Sequence, residues 1–195
     1  MQIGVLALQG AFAEHRRILS QCGVEAVLIR KPGEMKKIDG LIIPGGESTT
    51  IGKLMRDYHL DTAILEKTRE GMPVFGTCAG LIMLAKDISG RDQFSLGLMD
   101  IKVKRNGFGR QVDSFEADLH IDALGKAPFH GVFIRAPYVE SVKPNVGILA
   151  HHEGKIVMVR QGNFLGAAFH PELTDDLRVH LYFKQMIEDA KNAIA

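Results

Sequence analysis

Cys78 lies in a segment whose residue types suit a nucleophile, residues 76–80 (GTCAG). An apolar run at residues 73–75 precedes it and a helix-like run at residues 81–86 follows it, a pattern typical of a nucleophile elbow with cysteine in place of serine. Glycines allow the sharp turn, and the N-terminus of the following helix favours a thiolate. Because a thiolate attacks carbonyl carbon, the segment predicts acyl transfer. The alternative is a cysteine that only packs in the core.

A histidine and a carboxylate form the second candidate site, in the tetrapeptide 169–172 (FHPE). Pro171 disfavours helix at His170, so we expect an extended tetrapeptide in which His170 and Glu172 point the same way. Glu172 would then hold one ring nitrogen while the other faces a nucleophile, as in a catalytic triad. The alternative is a surface turn. Both Cys78 and His170 follow predicted strands, and active sites of open α/β sheets gather at that edge.

Two glycines follow another predicted strand, in the loop at residues 44–50 (PGGESTT). The loop lacks the Gly-Lys-Ser/Thr ending of a P-loop, so we do not expect it to bind a nucleotide phosphate. Its backbone N–H groups are better suited to an oxyanion hole, which holds a tetrahedral intermediate. A tight turn with Ser48 as the helix N-cap would use the same residues and is compatible with that role.

Three weaker features have simpler interpretations. Residues 151–153 (HHE) could bind a metal, but adjacent residues on a strand diverge, which disfavours a site there. Cys22 has no flanking turn glycines on both sides, and we expect it to pack in the core. A basic cluster could form a solvated face or bind a carboxylate or a partner; it contains Lys102, Lys104, Arg105 and Arg110.

The composition excludes several classes of protein. The 195-residue chain has 24 Lys and Arg against 23 Asp and Glu, which gives no electrostatic case for nucleic acid or an anionic membrane. No apolar run approaches the roughly 18 residues that span a bilayer, and no signal peptide is evident. The two cysteines stand in unlike contexts, so no disulfide framework is indicated. We therefore expect one domain, residues 1–195, in the reducing cytoplasm.

The elements that must position the candidate residues alternate in the first half of the chain. Strand-like runs lie at residues 3–8, 24–29, 41–43 and 73–76, and helix-like runs lie at residues 12–22, 48–58, 61–70 and after Cys78. This alternation predicts an α/β fold with a mostly parallel sheet covered on both faces. From about residue 97 strand-like pieces dominate, so we expect added antiparallel strands or a small ribbon. A closing helix is predicted from Thr174 to about Lys191.

Together, the loop at residues 44–50, the segment at 76–80 and residues 170–172 (HPE) resemble the class I (triad) glutamine amidotransferase family. The resemblance runs nearly end to end, and within that family the chain is similar to the glutaminase subunits of pyridoxal 5′-phosphate synthase. Four further stretches narrow the resemblance from the broad family to these subunits: residues 4–10 (GVLALQG), 105–111 (RNGFGRQ), 115–118 (FEAD) and 133–137 (FIRAP). Gly107 departs from the serine expected in many relatives, which should not affect catalysis.

The resemblance implies a three-layer α/β/α, flavodoxin-like fold and the hydrolysis of L-glutamine to L-glutamate and ammonia. It implies that Cys78 attacks the side-chain amide, and that His170 takes the thiol proton, gives it to departing ammonia and then activates water. Glu172 would orient His170. The backbone N–H groups of Gly46 and Ala79 would hold the oxyanion.

The resemblance also implies what the protein binds. Glutamine would contact Gly46, Glu47, Ser48, Arg105, Ile134 and Arg135. No cofactor or metal is expected. The ammonia would pass to a (β/α)8-barrel synthase subunit that makes pyridoxal 5′-phosphate. Since free ammonia production would waste glutamine, we expect this partner to gate the activity, with the Gly45-Gly46 peptide as the mobile element.

Three rival functions stay open at this point. A glutaminase subunit of another synthase, such as that of histidine biosynthesis, would share the triad and differ in the barrel that activates it. A cysteine hydrolase or protease-like protein of the same broad fold often carries its histidine soon after the nucleophile, whereas no histidine lies between Cys78 and His120. A non-catalytic binding module would not need Cys78, His170 and Glu172 together.

Overall fold

A computed structural model of the chain describes residues 1–90, 92–108 and 114–193. The helices in these ranges are α1 (Phe12–Gln21), α2 (Ser48–Asp57), α3 (Leu60–Arg69), α4 (Ala79–Leu84) and α5 (Arg178–Asn192). The strands are β1 (Gln2–Leu6), β2 (Glu25–Ile29), β3 (Gly40–Ile43), β4 (Val74–Thr77), β5 (Ala85–Ile88), β6 (Met99–Lys104), β7 (Ser114–Leu119), β8 (Phe129–Ile134), β9 (Tyr138–Val142), β10 (Gly147–His152), β11 (Lys155–Gln161) and β12 (Phe164–Ala167). None of the described helices is long and apolar enough to cross a membrane.

Five parallel strands form the part of the sheet that positions Cys78, His170 and the glycine loop, in the order β2-β1-β3-β4-β12. β4 lies between β3 and β12, so that Gly76 stands opposite both Ile43 and Gly166. The carboxyl ends of parallel strands meet at one edge of a sheet. The loop after β3, the turn after β4 and the segment after β12 therefore emerge side by side.

Helices cover both faces of this parallel part, as the sequence predicts. Phe75 of β4 contacts His15 of α1 and Phe183 of α5, with ring centroids 6.4 and 5.5 Å apart. The next residue, Gly76, faces the other way: a Cβ there would lie 2.4 Å from the backbone of Gly80 in α4. Because successive strand residues point to opposite faces, α1 and α5 form one layer and α4 belongs to the other, where α2 packs against it.

The second half of the chain both extends the sheet and adds a ribbon, two arrangements between which the sequence did not decide. Beyond β12 the sheet continues as β11-β9-β6-β5, with β11 antiparallel to β12 and β9 antiparallel to β6. β10 pairs with β11. β7 and β8 form a separate antiparallel ribbon. The buried apolar side chains of both halves form one cluster.

Three helix starts predicted from the sequence are wrong. Ser48 is the first residue of α2 rather than its cap, because Glu47 caps that helix with its carboxylate. The helix-like run predicted at residues 61–70 starts one residue too late, because α3 begins at Leu60 and Asp61 lies inside its first turn. The closing helix begins at Arg178 and not at Thr174. Polar residues that can cap a helix are also common in turns, so the local pattern does not single out the start.

Two strands were not recognised in the sequence. We expected helix through residue 86, but the chain leaves α4 at Leu84 and enters β5 at Ala85, where it pairs with β6. β9 follows Pro137 and pairs with both β6 and β11. In both cases pairing with a strand distant in sequence outweighs a weak local pattern.

Candidate active site

Cys78 stands at the turn between β4 and α4 in a conformation that residues with side chains rarely adopt, with φ 49° and ψ −102°. Its amide donates to the carbonyl oxygen of Ala167 at 2.8 Å, which ties the turn to β12. A Cβ on Gly80 would lie 1.9 Å from the carbonyl oxygen of Ile43, and one on Gly76 would meet Gly80. The turn therefore needs glycine on both sides of the cysteine, and the sharp strand-to-helix turn expected from the sequence is present.

His170 reaches the same edge of the sheet from β12, and its Nδ1 lies 2.7 Å from Oε1 of the fully buried Glu172. Its own amide donates to the carbonyl oxygen of Val132 at 2.8 Å. The expectation of an extended tetrapeptide is wrong beyond His170, because Pro171–Leu173 forms a 3₁₀ turn. His170 itself stays outside the helical region, as the following proline requires. The turn thus joins His170 and Glu172 by a different local geometry from the one predicted.

The charges of the two side chains depend on their contacts. Burial alone would lower the pKa of His170, but contact with Cys78 and Glu172 outweighs burial and raises the pKa to about 10. Burial would raise the pKa of Glu172, but the neighbouring His15 ring and the hydrogen bond with His170 hold it below its ordinary value. At neutral pH the arrangement therefore favours a carboxylate on Glu172 and an imidazolium on His170, which places positive charge beside the sulfur of Cys78.

The loop between β3 and α2 lies against both Cys78 and His170. A Cβ on Gly45 would lie 2.4 Å from Cε1 of His170 and 3.3 Å from Cβ of Cys78, so only glycine fits. The Gly45 amide donates to Oγ1 of Thr77 at 3.1 Å, and its carbonyl oxygen accepts from the amide of Ala11 at 3.0 Å. The Gly45 backbone is therefore held from two sides, directly beside the cysteine.

These elements enclose a cleft of about 370 Å³. Nine of the ten residues that the sequence singled out line it: Gly46, Glu47, Ser48, Cys78, Ala79, Arg105, Ile134, Arg135 and His170. The tenth, Glu172, lies behind His170. Sequence reasoning missed further lining residues, namely Gln9, Gly10, Ala11, Ile82, Asn106 and Leu173. The first three follow β1 at the carboxyl edge of the parallel strands, a position that could have indicated them.

A carboxylate and a guanidinium lie side by side in the cleft. Burial would raise the pKa of Glu47, but hydrogen bonds from Thr49 and Thr50 outweigh it and lower the pKa to about 2. Nη2 of Arg105 lies 3.3 Å from Oε1 of Glu47, and its Nη1 donates to Oε1 of Gln93 at 2.6 Å. Two opposite charges held this close suit a ligand that carries both, such as the α-amino acid group.

Of the weaker candidates, only Arg105 of the basic cluster lines this cleft; residues 151–153 and Cys22 do not. Within residues 1–90, 92–108 and 114–193, no three His, Cys, Asp or Glu side chains converge to hold a metal ion. His152 instead stacks on Phe115, with ring centroids 5.2 Å apart. Cys22 is buried in the apolar cluster, as expected of a packing residue.

One predicted stretch is described only in part. Arg105 and Asn106 of the stretch 105–111 line the cleft. A Cβ on Gly107 would lie 2.0 Å from the ring of Tyr138, so a serine there would need that ring to move. Gly109, Arg110 and Gln111 lie outside the described residues.

Comparison with known proteins places the chain among relatives of similar length. The model of the SNO glutamine amidotransferase family matches residues 5–189. The chain is 60% identical over 188 residues to pyridoxal 5′-phosphate synthase subunit PdxT of Desulforamulus reducens, covering 96% of this chain and 100% of that protein. It is 60% identical over 187 residues to the protein of the same name from Moorella thermoacetica, covering 96% and 100%.

The fold has a close match among solved structures. A crystal structure described as a glutamine amidotransferase superposes with a TM-score of 0.91 at 48% sequence identity. The match covers 95% of this chain and 98% of that one. The α/β fold class predicted from the sequence, with its mostly parallel central sheet and flanking helices, is therefore confirmed.

Proposed function

Because the chain belongs to the SNO glutamine amidotransferase family, we propose that it hydrolyses L-glutamine to L-glutamate and ammonia for a pyridoxal 5′-phosphate synthase. The observation that carries the proposal is the meeting of Cys78, His170 and the Gly45-Gly46 loop in one cleft. The relatives named PdxT are subunits of that synthase by name, which supports the same assignment for this chain.

Glutamine would lie in the cleft with its side-chain amide at Cys78. Its α-ammonium group would face the carboxylate of Glu47, and its α-carboxylate would face the guanidinium of Arg105, which suits bidentate pairing. The remaining contacts proposed for the substrate line the same cleft: Gly46, Ser48, Ile134 and Arg135.

The first half of the reaction releases ammonia. The Cys78 sulfur, its thiol proton transferred to His170, would attack the amide carbon, forming a C–S bond and a tetrahedral intermediate with negative charge on its oxygen. The backbone N–H groups of Gly46 and Ala79 would donate hydrogen bonds to that oxygen. The imidazolium of His170 would give its proton to the amide nitrogen as the C–N bond breaks and ammonia leaves.

The second half restores the enzyme. The now neutral His170 would take a proton from water as the water oxygen attacks the thioester carbon. The C–S bond then breaks, glutamate leaves, and the thiolate of Cys78 again faces an imidazolium. Glu172 would hold the His170 ring in one orientation through both halves. In this scheme the chain needs no cofactor or metal.

The synthase subunit is proposed to be a (β/α)8 barrel that takes up the ammonia and switches the glutaminase on. The Gly45-Gly46 peptide is the proposed switch, since glycine permits a flip of the peptide plane. A flip would break the hydrogen bond from Ala11 to Gly45, a loss of about 1 kcal/mol that partner binding can offset. We place the protein in the cytoplasm, where a reactive thiol stays reduced.

Glutamate release from glutamine tests these assignments, with and without the synthase subunit and with Cys78→Ala as the control. We expect activity only in the complex, and none in the variant. Equal activity with and without the synthase subunit would support the glutaminase assignment and contradict the assigned partner. Activation by the barrel of histidine biosynthesis alone would favour that rival, and inactivity under all conditions would contradict the proposal.

A further inference from the structure

A buried polar chain lies behind the cleft, and the proposed mechanism does not use it. It consists of His15 on α1, Thr77 in β4 and His180 on α5, all fully buried. We propose that His15 is a positioning residue, which holds the second carboxylate oxygen of Glu172 and so orients His170. The proposal rests on the function proposed above. Because His15 has no exposed surface, it acts through other side chains and not on glutamine.

The contacts of Glu172 indicate this role. Its Oε1 is bonded to His170, and its Oε2 lies 3.4 Å from Nε2 of His15. Within the described ranges, Oε2 is removed from water and has no hydrogen-bond partner of ordinary geometry, which leaves the 3.4 Å contact with the His15 ring. A buried carboxylate oxygen without a polar neighbour destabilises the folded protein. The N–H group of His15 is the donor that the fold brings to this oxygen.

The neighbours of His15 determine which of its nitrogens carries the proton. Its Nδ1 lies 2.9 Å from Nε2 of His180, and Nδ1 of His180 has no partner among the described residues. If Nδ1 of His15 carried the proton, His180 would bury an N–H without an acceptor, and a lone pair of His15 would face Glu172. If His180 instead carries its proton on Nε2, it donates to Nδ1 of His15. The unpaired N–H of His180 and the lone pair of His15 facing Glu172 are then both avoided. The N–H of His15 then lies on Nε2, which is 3.1 Å from Oγ1 of Thr77 and 3.4 Å from Oε2 of Glu172, so that both oxygens face this N–H group.

The charge of His15 fits this role as well. Burial lowers the pKa of His15 despite the raising effect of Glu172, so the ring stays neutral at pH 7. Burial holds the pKa of His180 well below 6.5. A neutral donor can orient Glu172 without adding a positive charge that would disfavour the imidazolium of His170.

Thr77 extends the influence of His15 to the glycine loop. Its Oγ1 lies 3.1 Å from Nε2 of His15 and accepts the Gly45 amide at 3.1 Å. His15 therefore touches the hydroxyl that holds the loop and the carboxylate that holds the proposed base. One side chain on α1 connects both halves of the site.

The experiment compares His15→Gln with His15→Asn in the complex with the synthase subunit. The amide nitrogen of glutamine reaches roughly the position of Nε2, whereas that of asparagine reaches only the position of Nδ1. We expect the asparagine variant to lose about tenfold to a hundredfold in kcat with KM unchanged. Losses of this size are typical when a residue that orients a functional group through a hydrogen bond is removed. The glutamine variant should keep most of the wild-type kcat.

The ring-nitrogen NMR spectrum of the wild-type chain provides a second test that needs no variant. We expect the proton of His15 on Nε2, and a proton on Nδ1 would overturn the proposal. Equal kcat values for the glutamine and asparagine variants would overturn it too. Failure of the proposed function is distinguishable, because the wild-type complex would then release no glutamate while the tautomer of His15 could still be read.

Discussion

At the scale of single residues, the proposed nucleophile is held in a strained conformation. Cys78 has φ 49° and ψ −102°, a region that residues with a Cβ avoid and that costs about 1–3 kcal/mol. The surrounding hydrogen bond to Ala167 and the tight contacts of Gly80 maintain it. The strain directs the sulfur into the cleft, so stability and proposed function oppose each other at this position.

Substitution of Cys78 measures this strain. Cys78→Ala keeps the Cβ and loses only the sulfur, whereas Cys78→Gly removes the Cβ as well. We expect the glycine variant to exceed the alanine variant in free energy of unfolding by about 1 kcal/mol, since glycine tolerates positive φ. Urea denaturation of the two variants checks this. An alanine variant of equal or greater stability would argue against strain at the elbow.

His170 and Glu172 should differ in the size of their effects on catalysis. His170→Asn removes the proposed acid and base, whose contribution is typically about 10²–10⁴-fold in kcat. Glu172→Gln keeps an acceptor oxygen next to Nδ1 of His170, so it disturbs orientation more than proton transfer. We therefore expect a smaller loss of kcat for Glu172→Gln, measured as glutamate release in the complex. A wild-type kcat in Glu172→Gln would remove this residue from the triad.

At the scale of elements, the approach of α4 to the sheet sets the position of the cleft. A Cβ on Gly80 would lie 1.9 Å from the backbone oxygen of Ile43, so α4 could not pack where it does with any larger residue. A Cβ on Gly33, in the 3₁₀ turn Pro32–Lys37, would have no atom within 4 Å. The two glycines therefore form a matched pair for substitution.

We expect Gly80→Ala to lower the free energy of unfolding by about 1–3 kcal/mol through overpacking against backbone. Gly33→Ala should leave stability unchanged or raise it by about 0.4–1 kcal/mol, because the unfolded chain loses freedom without a clash. Thermal or urea unfolding of both variants measures the difference. Similar values for the two substitutions would contradict the close approach of α4 to β3.

At the scale of the whole molecule, buried histidines couple folding to pH. His15 on α1 and His180 on α5 contact each other on one face of the sheet, and burial lowers the pKa of each below 6.5. The unfolded chain therefore binds more protons than the folded chain below pH 6.5, so stability is present above this pH and falls below it. The raised pKa of His170 affects stability in a different pH range. Its stabilising contribution is complete below pH 6.5 and is lost as the pH rises toward about 10.

Stability should accordingly decline as the pH falls below 6.5, by up to about 1.4 kcal/mol per pH unit for each of the two histidines. His180→Phe removes one of them and keeps a ring beside Phe75. We expect a shallower decline in this variant, measured by urea unfolding at several pH values. An unchanged slope would indicate that His180 does not titrate on unfolding.

The sequence alone determined the local features of this protein: the turn glycines around Cys78, the His170-Pro-Glu172 segment and the alternation of strands and helices. Each depends on residues within a few positions of one another. Only the tertiary structure decided that β12 pairs with β4, which brings Cys78 and His170 to one edge, and that His15 meets Glu172. These contacts join residues distant along the chain, and burial and pairing of whole elements decide them, which no local pattern encodes.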